Sequence, residues 1–126
     1  MQSAELDGFG KELMTRVRDR ALQEIDGLVS GGSRAPLYAG LRDKISTLPD
    51  AERRFLFEIC TLAIDQSLFE MLNYIDESQE KVEVRYRSLD DTSWLSIAQE
   101  SDGLSGELYG DNGWVAKYSK YDQFSD

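Results

Sequence analysis

Glycines and carboxylates are the residue types in this chain that could support chemistry at short spacing. Residues 102–114, DGLSGELYGDNGW, contain four glycines and three acidic residues. A phosphate-binding loop of the Gly-x4-Gly-Lys-Ser/Thr kind needs a lysine, which is absent here, and the acidic residues would repel an anion. An EF-hand loop starting at Asp102 would need oxygen ligands at its third and fifth positions, which are leucine and glycine. We therefore predict no metal and no cofactor, with an irregular carboxylate site on Asp102, Glu107 or Asp111 as the alternative.

Histidine is absent from the chain, and Cys60 is the one cysteine. Histidine is the commonest general base and metal ligand, and zinc sites need several cysteine or histidine ligands. These absences exclude a zinc site, a histidine-activated nucleophile and an intramolecular disulfide. Carboxylate, lysine or tyrosine chemistry remains, and we predict that the protein is not an enzyme.

A carboxylate-dependent enzyme or a small-ligand-binding domain is the alternative. Neighbouring acids such as Asp76–Glu77 and Asp90–Asp91 could serve as a carboxylate pair, which a glycosidase needs across a cleft. A pocket between a long helix and a sheet would be lined by Trp94, Tyr109 and Trp114. Packing in a core and on a sheet face also accounts for these aromatic residues.

The net charge of −10 is unevenly distributed along the chain. Residues 1–49 contain seven acidic and seven basic residues, whereas residues 50–80 contain eight and two, and residues 81–126 contain nine and five. Because nucleic acids and anionic membranes are themselves negative, we predict neither as a partner. The first residues lack the basic and apolar regions of a signal peptide, so we expect a cytoplasmic location.

Three helices are predicted in the first part of the chain. Apolar residues at spacings of three and four predict an amphipathic helix over about 3–28, which Gly31 and Gly32 would end. The arginines at positions 16, 18 and 20 are predicted to lie on its solvated face. Pro36 can open a short second helix, and a long third helix is expected from about Asp50 to Asp76.

The third helix carries apolar residues on more than one side. One predicted core stripe consists of Phe57, Cys60, Ile64, Leu68, Met71 and Ile75. The opposite arc carries the acids Glu58, Asp65 and Asp76, interleaved with Phe55, Leu62, Phe69 and Leu72. Either this central helix is packed on both sides, or the acidic arc is a face that binds a basic partner.

The pattern changes after residue 80. Alternating residues in VEVRYRSL predict a strand over 82–89, and residues 91–100 suit a short helix better than a strand, with Asp91 or Thr92 as its cap. Segments GELYG, DNG and WVAKYSKY predict a C-terminal β-hairpin. The chain is thus predicted to be one α+β domain over 1–126. It would have a three-helix array with one long central helix (about 3–77), followed by a small antiparallel sheet (about 81–121).

These features together predict a non-catalytic acidic protein that binds a basic protein partner and neutralises or regulates it. In size and charge alone, the chain is similar to bacterial immunity proteins that block nuclease toxins. A structural homo-oligomer with the long helix at its interface is a further alternative, although like charges would oppose it. The predicted partner-binding residues are Glu58, Leu62, Asp65, Phe69 and Asp76, with Asp102, Glu107 and Asp111 as a second acidic patch.

Overall fold

The protein is an α+β fold dominated by helices, as the sequence predicted. The computed structural model describes residues 3–87 and 93–121. The helices are α1 (Ala4–Leu13), α2 (Asp19–Ser30), α3 (Ala39–Ser46), α4 (Asp50–Glu77) and α5 (Trp114–Tyr118). The strands are β1 (Arg85–Tyr86) and β2 (Leu95–Ser96). Shorter segments are a π-helical stretch (Met14–Arg18) and 3-10 turns at Pro36–Tyr38, Ala98–Glu100 and Leu104–Glu107.

Helices α1 and α2 form one run joined by the π-helical stretch. Ser3 caps its start, since its hydroxyl accepts a hydrogen bond from the Leu6 amide at 3.0 Å. The run ends at Gly31, whose φ of 87° places it in the left-handed region that glycine adopts at no steric cost. The predicted helix and its glycine stop are therefore confirmed.

The π-helical stretch changes which residues of this run are buried. An uninterrupted α-helix would continue the buried face of α1 through Val17, but Val17 is exposed and Arg18 is buried. Leu22 follows Arg18 on the buried side four residues later. A π turn holds an extra residue, so every later position is rotated relative to an α-helix. The prediction that Arg18 lies on a solvated face is wrong for this reason.

Helix α4 has the predicted extent but a different buried side. Its buried residues are Thr61, Asp65, Leu68, Leu72 and Ile75. Leu68 and Ile75 belong to the predicted core stripe, whereas Met71 from the same stripe is exposed. Cys60 is half-buried. The helix is rotated so that part of the predicted acidic arc faces inward, because α2 packs along that side.

The sheet is smaller than predicted. β1 and β2 pair antiparallel, with Arg85 opposite Ser96 and Tyr86 opposite Leu95. Over 82–87 the half-buried and exposed side chains alternate as predicted for a strand. Residues 93–100 contain both a strand and a 3-10 turn, so the preference for a helix there is only partly correct. Asp90, Asp91 and Thr92, and with them the predicted cap and one carboxylate pair, lie outside the described residues.

The predicted C-terminal hairpin is wrong, because its two arms are helical. The first arm contains the 3-10 turn and the second contains α5. Trp114 and Val115 are both buried, and neighbouring residues of a strand would point to opposite faces of a sheet. A helical turn directs both side chains into the core, and Tyr118 four residues on packs against the same cluster.

The core lies where α1, α4 and the C-terminal segment meet. Its centre is the buried Trp114, whose ring is edge-on to Phe9 at a centroid distance of 5.9 Å. A Cβ atom at Gly10 would lie 2.3 Å from the Trp114 ring, so only glycine allows α1 to approach this closely. The cluster consists of Leu6, Leu13, Met14, Leu68, Leu72, Ile75, Ile97, Leu104, Leu108, Trp114 and Val115.

Candidate functional site

A buried ion pair sets the rotation of α4 about its own axis. Arg18 and Asp65 have exposed fractions of 0% and 3%. The Arg18 Nε donates to Asp65 Oδ1 at 2.7 Å, and Nη2 donates to Oδ2 at 3.2 Å. Because two parallel hydrogen bonds fix both groups, Asp65 is held toward α2, and the arc of α4 centred about 80° from Asp65 faces outward.

The C-terminal segment is tied to the same pair. The Arg18 Nη1 donates to Ser119 Oγ at 2.7 Å and to the Tyr121 carbonyl at 2.8 Å. Asp19, the next residue, accepts a hydrogen bond from the Lys120 amide at 3.0 Å. These contacts satisfy the guanidinium without solvent and hold residues 119–121 against the start of α2.

Tyr109 contacts Asp65 from the side of the core. Its hydroxyl donates to the backbone carbonyl of Asp65 at 3.0 Å. Burial, followed by the nearby Asp65 carboxylate, raises the pKa of Tyr109 to about 12, although Arg18 acts in the opposite direction. The phenol is therefore a hydrogen-bond donor throughout the physiological pH range.

The outward side of α4 carries a row of residues that we call the open seam: Phe55, Ile59, Leu62, Gln66 and Phe69. Their spacing alternates between four and three, so at 100° per residue they lie within about 80° of arc. Phe55, Ile59 and Leu62 are exposed by 60%, 46% and 38%. Gln66 is also exposed, and Phe69 is half-buried against the core. The described residues thus leave two turns of large apolar surface open to solvent.

Three exposed glutamates border the open seam, and we call them the flanking glutamates: Glu52, Glu58 and Glu70. Each lies about 60° from the midline of the seam at 100° per residue. None forms an ion pair with a residue in the described ranges 3–87 and 93–121. The two basic residues of α4, Arg53 and Arg54, lie about 100° or more from that midline, and Arg53 pairs with Asp50. The seam is therefore apolar along its centre and negative at its edges.

The predicted site residues of α4 differ in exposure: some lie on the outward face, and others are buried or turned away from it. Glu58 and Leu62 lie together on the outward face. Phe69 is half-buried at the end of the open seam. Asp65 is not part of an exposed face, because its carboxylate is buried against Arg18. Asp76 is also turned away, since its Oδ2 accepts a hydrogen bond from the Leu104 amide at 2.7 Å.

The second predicted acidic patch is distributed around the glycine-rich segment. Asp76 and Asp102 line one cleft of about 460 Å³, and Asp102 and Glu107 line another of about 640 Å³. Glu107 accepts a hydrogen bond from the Ser101 hydroxyl at 3.3 Å. Asp111 is exposed and lines neither cleft. This segment mainly serves the fold, since Leu104 and Leu108 within it are fully buried.

None of the aromatic residues of the alternative ligand pocket lines either of the two clefts described above. Trp114 is in the core, and Tyr109 is bonded to the Asp65 carbonyl. Trp94 is 57% exposed, and the Arg87 guanidinium lies 5.1 Å from its ring centroid. A cation placed over an indole face is a common surface interaction and does not indicate a pocket.

Five residues of the outward face were not among the predicted site residues: Glu52, Phe55, Ile59, Gln66 and Glu70. The four-three spacing from Phe55 to Phe69 could have identified Ile59, because that spacing is typical of a helix–helix seam. The two glutamates could not be assigned from sequence, since their relevance depends on which side of α4 is buried.

Comparisons and searches for other kinds of site gave negative results. Within residues 3–87 and 93–121, no group of three or more acidic, histidine or cysteine residues is arranged to hold a metal ion. No described helix is both long and apolar enough to cross a membrane.

Comparison with protein families, curated proteins and solved structures found no match.

Proposed function

We propose that this chain is a non-catalytic acidic interaction protein whose outward face of α4 binds a basic protein partner. The observation that carries the proposal is the open seam between the flanking glutamates. Large exposed apolar side chains in one row are uncommon on a protein that acts alone, and they are typical of binding surfaces. The glutamates around them form no ion pair with any described residue, so a partner's lysines and arginines would complete the charge balance.

The net charge of −10 supports the same class of partner. Long-range attraction would accelerate the encounter, while burial of Phe55, Ile59 and Leu62 would slow dissociation. The partner would then be neutralised or regulated by having its own basic surface covered. The predicted cytoplasmic location is part of this proposal.

The test begins with capture of partners by the immobilised chain from the cells that produce it, followed by reconstitution from two purified proteins. We expect a basic partner whose association rate falls by about tenfold or more between about 0.05 M and 0.5 M salt. We expect the Ile59→Ser/Leu62→Ser variant to weaken the reconstituted complex by about tenfold. The matched control is Leu37→Ser/Leu41→Ser, which removes two exposed leucines elsewhere.

The proposal is refuted if no basic protein binds after purification. It is also refuted if a purified partner binds the Ile59→Ser/Leu62→Ser variant as tightly as the natural chain. Equal weakening by the control pair would show that general surface hydrophobicity, rather than α4, is responsible.

A further inference from the structure

We infer that the partner presents an amphipathic α-helix with basic edges, which lies along the open seam. This inference rests on the proposed function and adds the shape of the recognised element. The seam runs about 21 Å from Phe55 to Phe69, since 14 residues rise 1.5 Å each. It is a ridge on a convex helix, and its residues line neither of the two clefts beside the glycine-rich segment.

The spacing of the seam favours a helix as its partner. Intervals of four, three, four and three residues are those of a heptad seam, in which each apolar side chain inserts between side chains of a facing helix. Strands present side chains at a period of two and would match this ridge at fewer points. Gln66 interrupts the apolar row, and a polar residue in such a row selects one register of the facing helix.

The flanking glutamates determine the charge of that helix. Glu58 lies on one edge of the seam and Glu70 on the other, in positions equivalent to those that carry interhelical ion pairs in coiled coils. Glu52 lies three residues before Phe55, so in the heptad pattern it extends the seam row at its N-terminal end. A facing helix with lysine or arginine on both edges would pair with Glu58 and Glu70 and would attract Glu52. A second copy of this chain would instead bring six glutamates together, so charge opposes a homodimer through the seam.

The probe is a designed peptide of three heptads with leucine at the two seam positions, lysine at both edge positions, and alanine or glutamine elsewhere. Repulsion among its lysines keeps the peptide monomeric and largely unfolded alone. A second peptide of the same charge carries a central Pro-Gly that prevents a continuous helix. Binding is measured by fluorescence anisotropy with the complete chain, and the gain of helix by far-ultraviolet circular dichroism.

We expect the helix-forming peptide to bind and to gain helicity, and the Pro-Gly peptide to bind at least about tenfold more weakly. Ile59→Ser/Leu62→Ser should weaken binding by about tenfold. Neutralising the flanking glutamates to glutamine should also weaken binding, and the effect should shrink at high salt. The matched control, Glu24→Gln/Asp43→Asn/Glu80→Gln, removes the same charge from exposed positions outside α4 and should leave binding within about twofold.

Several results would overturn the inference. Equal binding of the two peptides, binding without a gain of helix, or equal effects of the two charge-neutralised variants would exclude a helix on this seam. A dimer of the natural chain that Ile59→Ser/Leu62→Ser abolishes would mean that a second copy occupies the seam. If a purified basic partner binds through α4 but the helix-forming peptide does not, the helix inference fails and the proposed function stands. If neither binds, both fail.

Discussion

Breaking the Arg18–Asp65 pair tests how α4 is held. Asp65→Ala would leave a guanidinium with no exposed surface and without its carboxylate partner, although the Ser119 hydroxyl and the Tyr121 carbonyl would still accept hydrogen bonds from it. Removing one member of a buried ion pair costs about 3–5 kcal/mol, because the remaining charge stays buried without its counterion. Domains of this size are stable by about 5–15 kcal/mol, so the loss is a large part of the total.

The assay is equilibrium unfolding in urea, followed by circular dichroism. With a slope near 2 kcal/mol per molar urea, a loss of about 4 kcal/mol lowers the midpoint by about 2 M. Arg18→Met should cost a similar amount, because it leaves the Asp65 carboxylate buried. The double variant Arg18→Met/Asp65→Leu should recover most of the loss, since an apolar pair of similar volume often replaces a buried ion pair without cost.

Arg16→Met is the matched control. Arg16 pairs with Glu12 at 3.6 Å, but both side chains are at least half exposed, so we expect a change of about 0.5 kcal/mol or less. If Asp65→Ala costs less than about 1 kcal/mol, the pair is not sequestered and cannot set the rotation of α4. If the double variant loses the sum of the two single losses, the two residues are not coupled, and the reasoning is equally refuted.

Three further changes have expected outcomes. Gly10→Ala should destabilise the fold by about 1–3 kcal/mol, because the new methyl group would force Trp114 to move. Gly40→Ala lies in open space within α3 and should stabilise the fold by about 0.4–1 kcal/mol. Thermal unfolding should therefore show a lower midpoint temperature for Gly10→Ala and a higher one for Gly40→Ala. The raised pKa of Tyr109 contributes stability below the unfolded value of about 10, and that stability is lost as pH rises from about 10 to 12. The free energy of unfolding of Tyr109→Phe should therefore fall less steeply between about pH 10 and 12 than that of the natural chain. An equal slope for the two proteins would contradict this prediction. Ser3→Ala should lower the free energy of unfolding by about 1 kcal/mol, because α1 loses its cap. Urea unfolding measures this loss. The control is Ser46→Ala, which lies away from any helix start and should leave stability nearly unchanged.

Much of the helical organisation could be predicted from local pattern. The glycine stop at Gly31, the start of α4 at Asp50 and the alternation over 82–87 depend on backbone preferences and on period, which neighbouring residues determine. The exclusion of zinc and of histidine-based catalysis also needed only the composition. The helical period assigned Glu58 and Leu62 to one arc of α4, but the sequence left open whether that arc is exposed.

The C-terminal helix and the π-helical stretch could not be predicted in this way. Trp114 and Val115 suit a strand by local preference, but both are buried in one core, and only a helical turn directs neighbouring side chains to one side. The π-helical stretch has no marker in its sequence, and it decides that Arg18 rather than Val17 is buried.

The sequence by itself determined the position and length of α4, the acidic charge and the absence of histidine. Because α4 has apolar residues on every side, its composition is compatible with several rotations about its axis. Only the tertiary structure selected one, through α2 and the contact between Arg18 and Asp65. That selection buried one predicted site residue and exposed Ile59, since burial is a property of two packed surfaces and not of one helix.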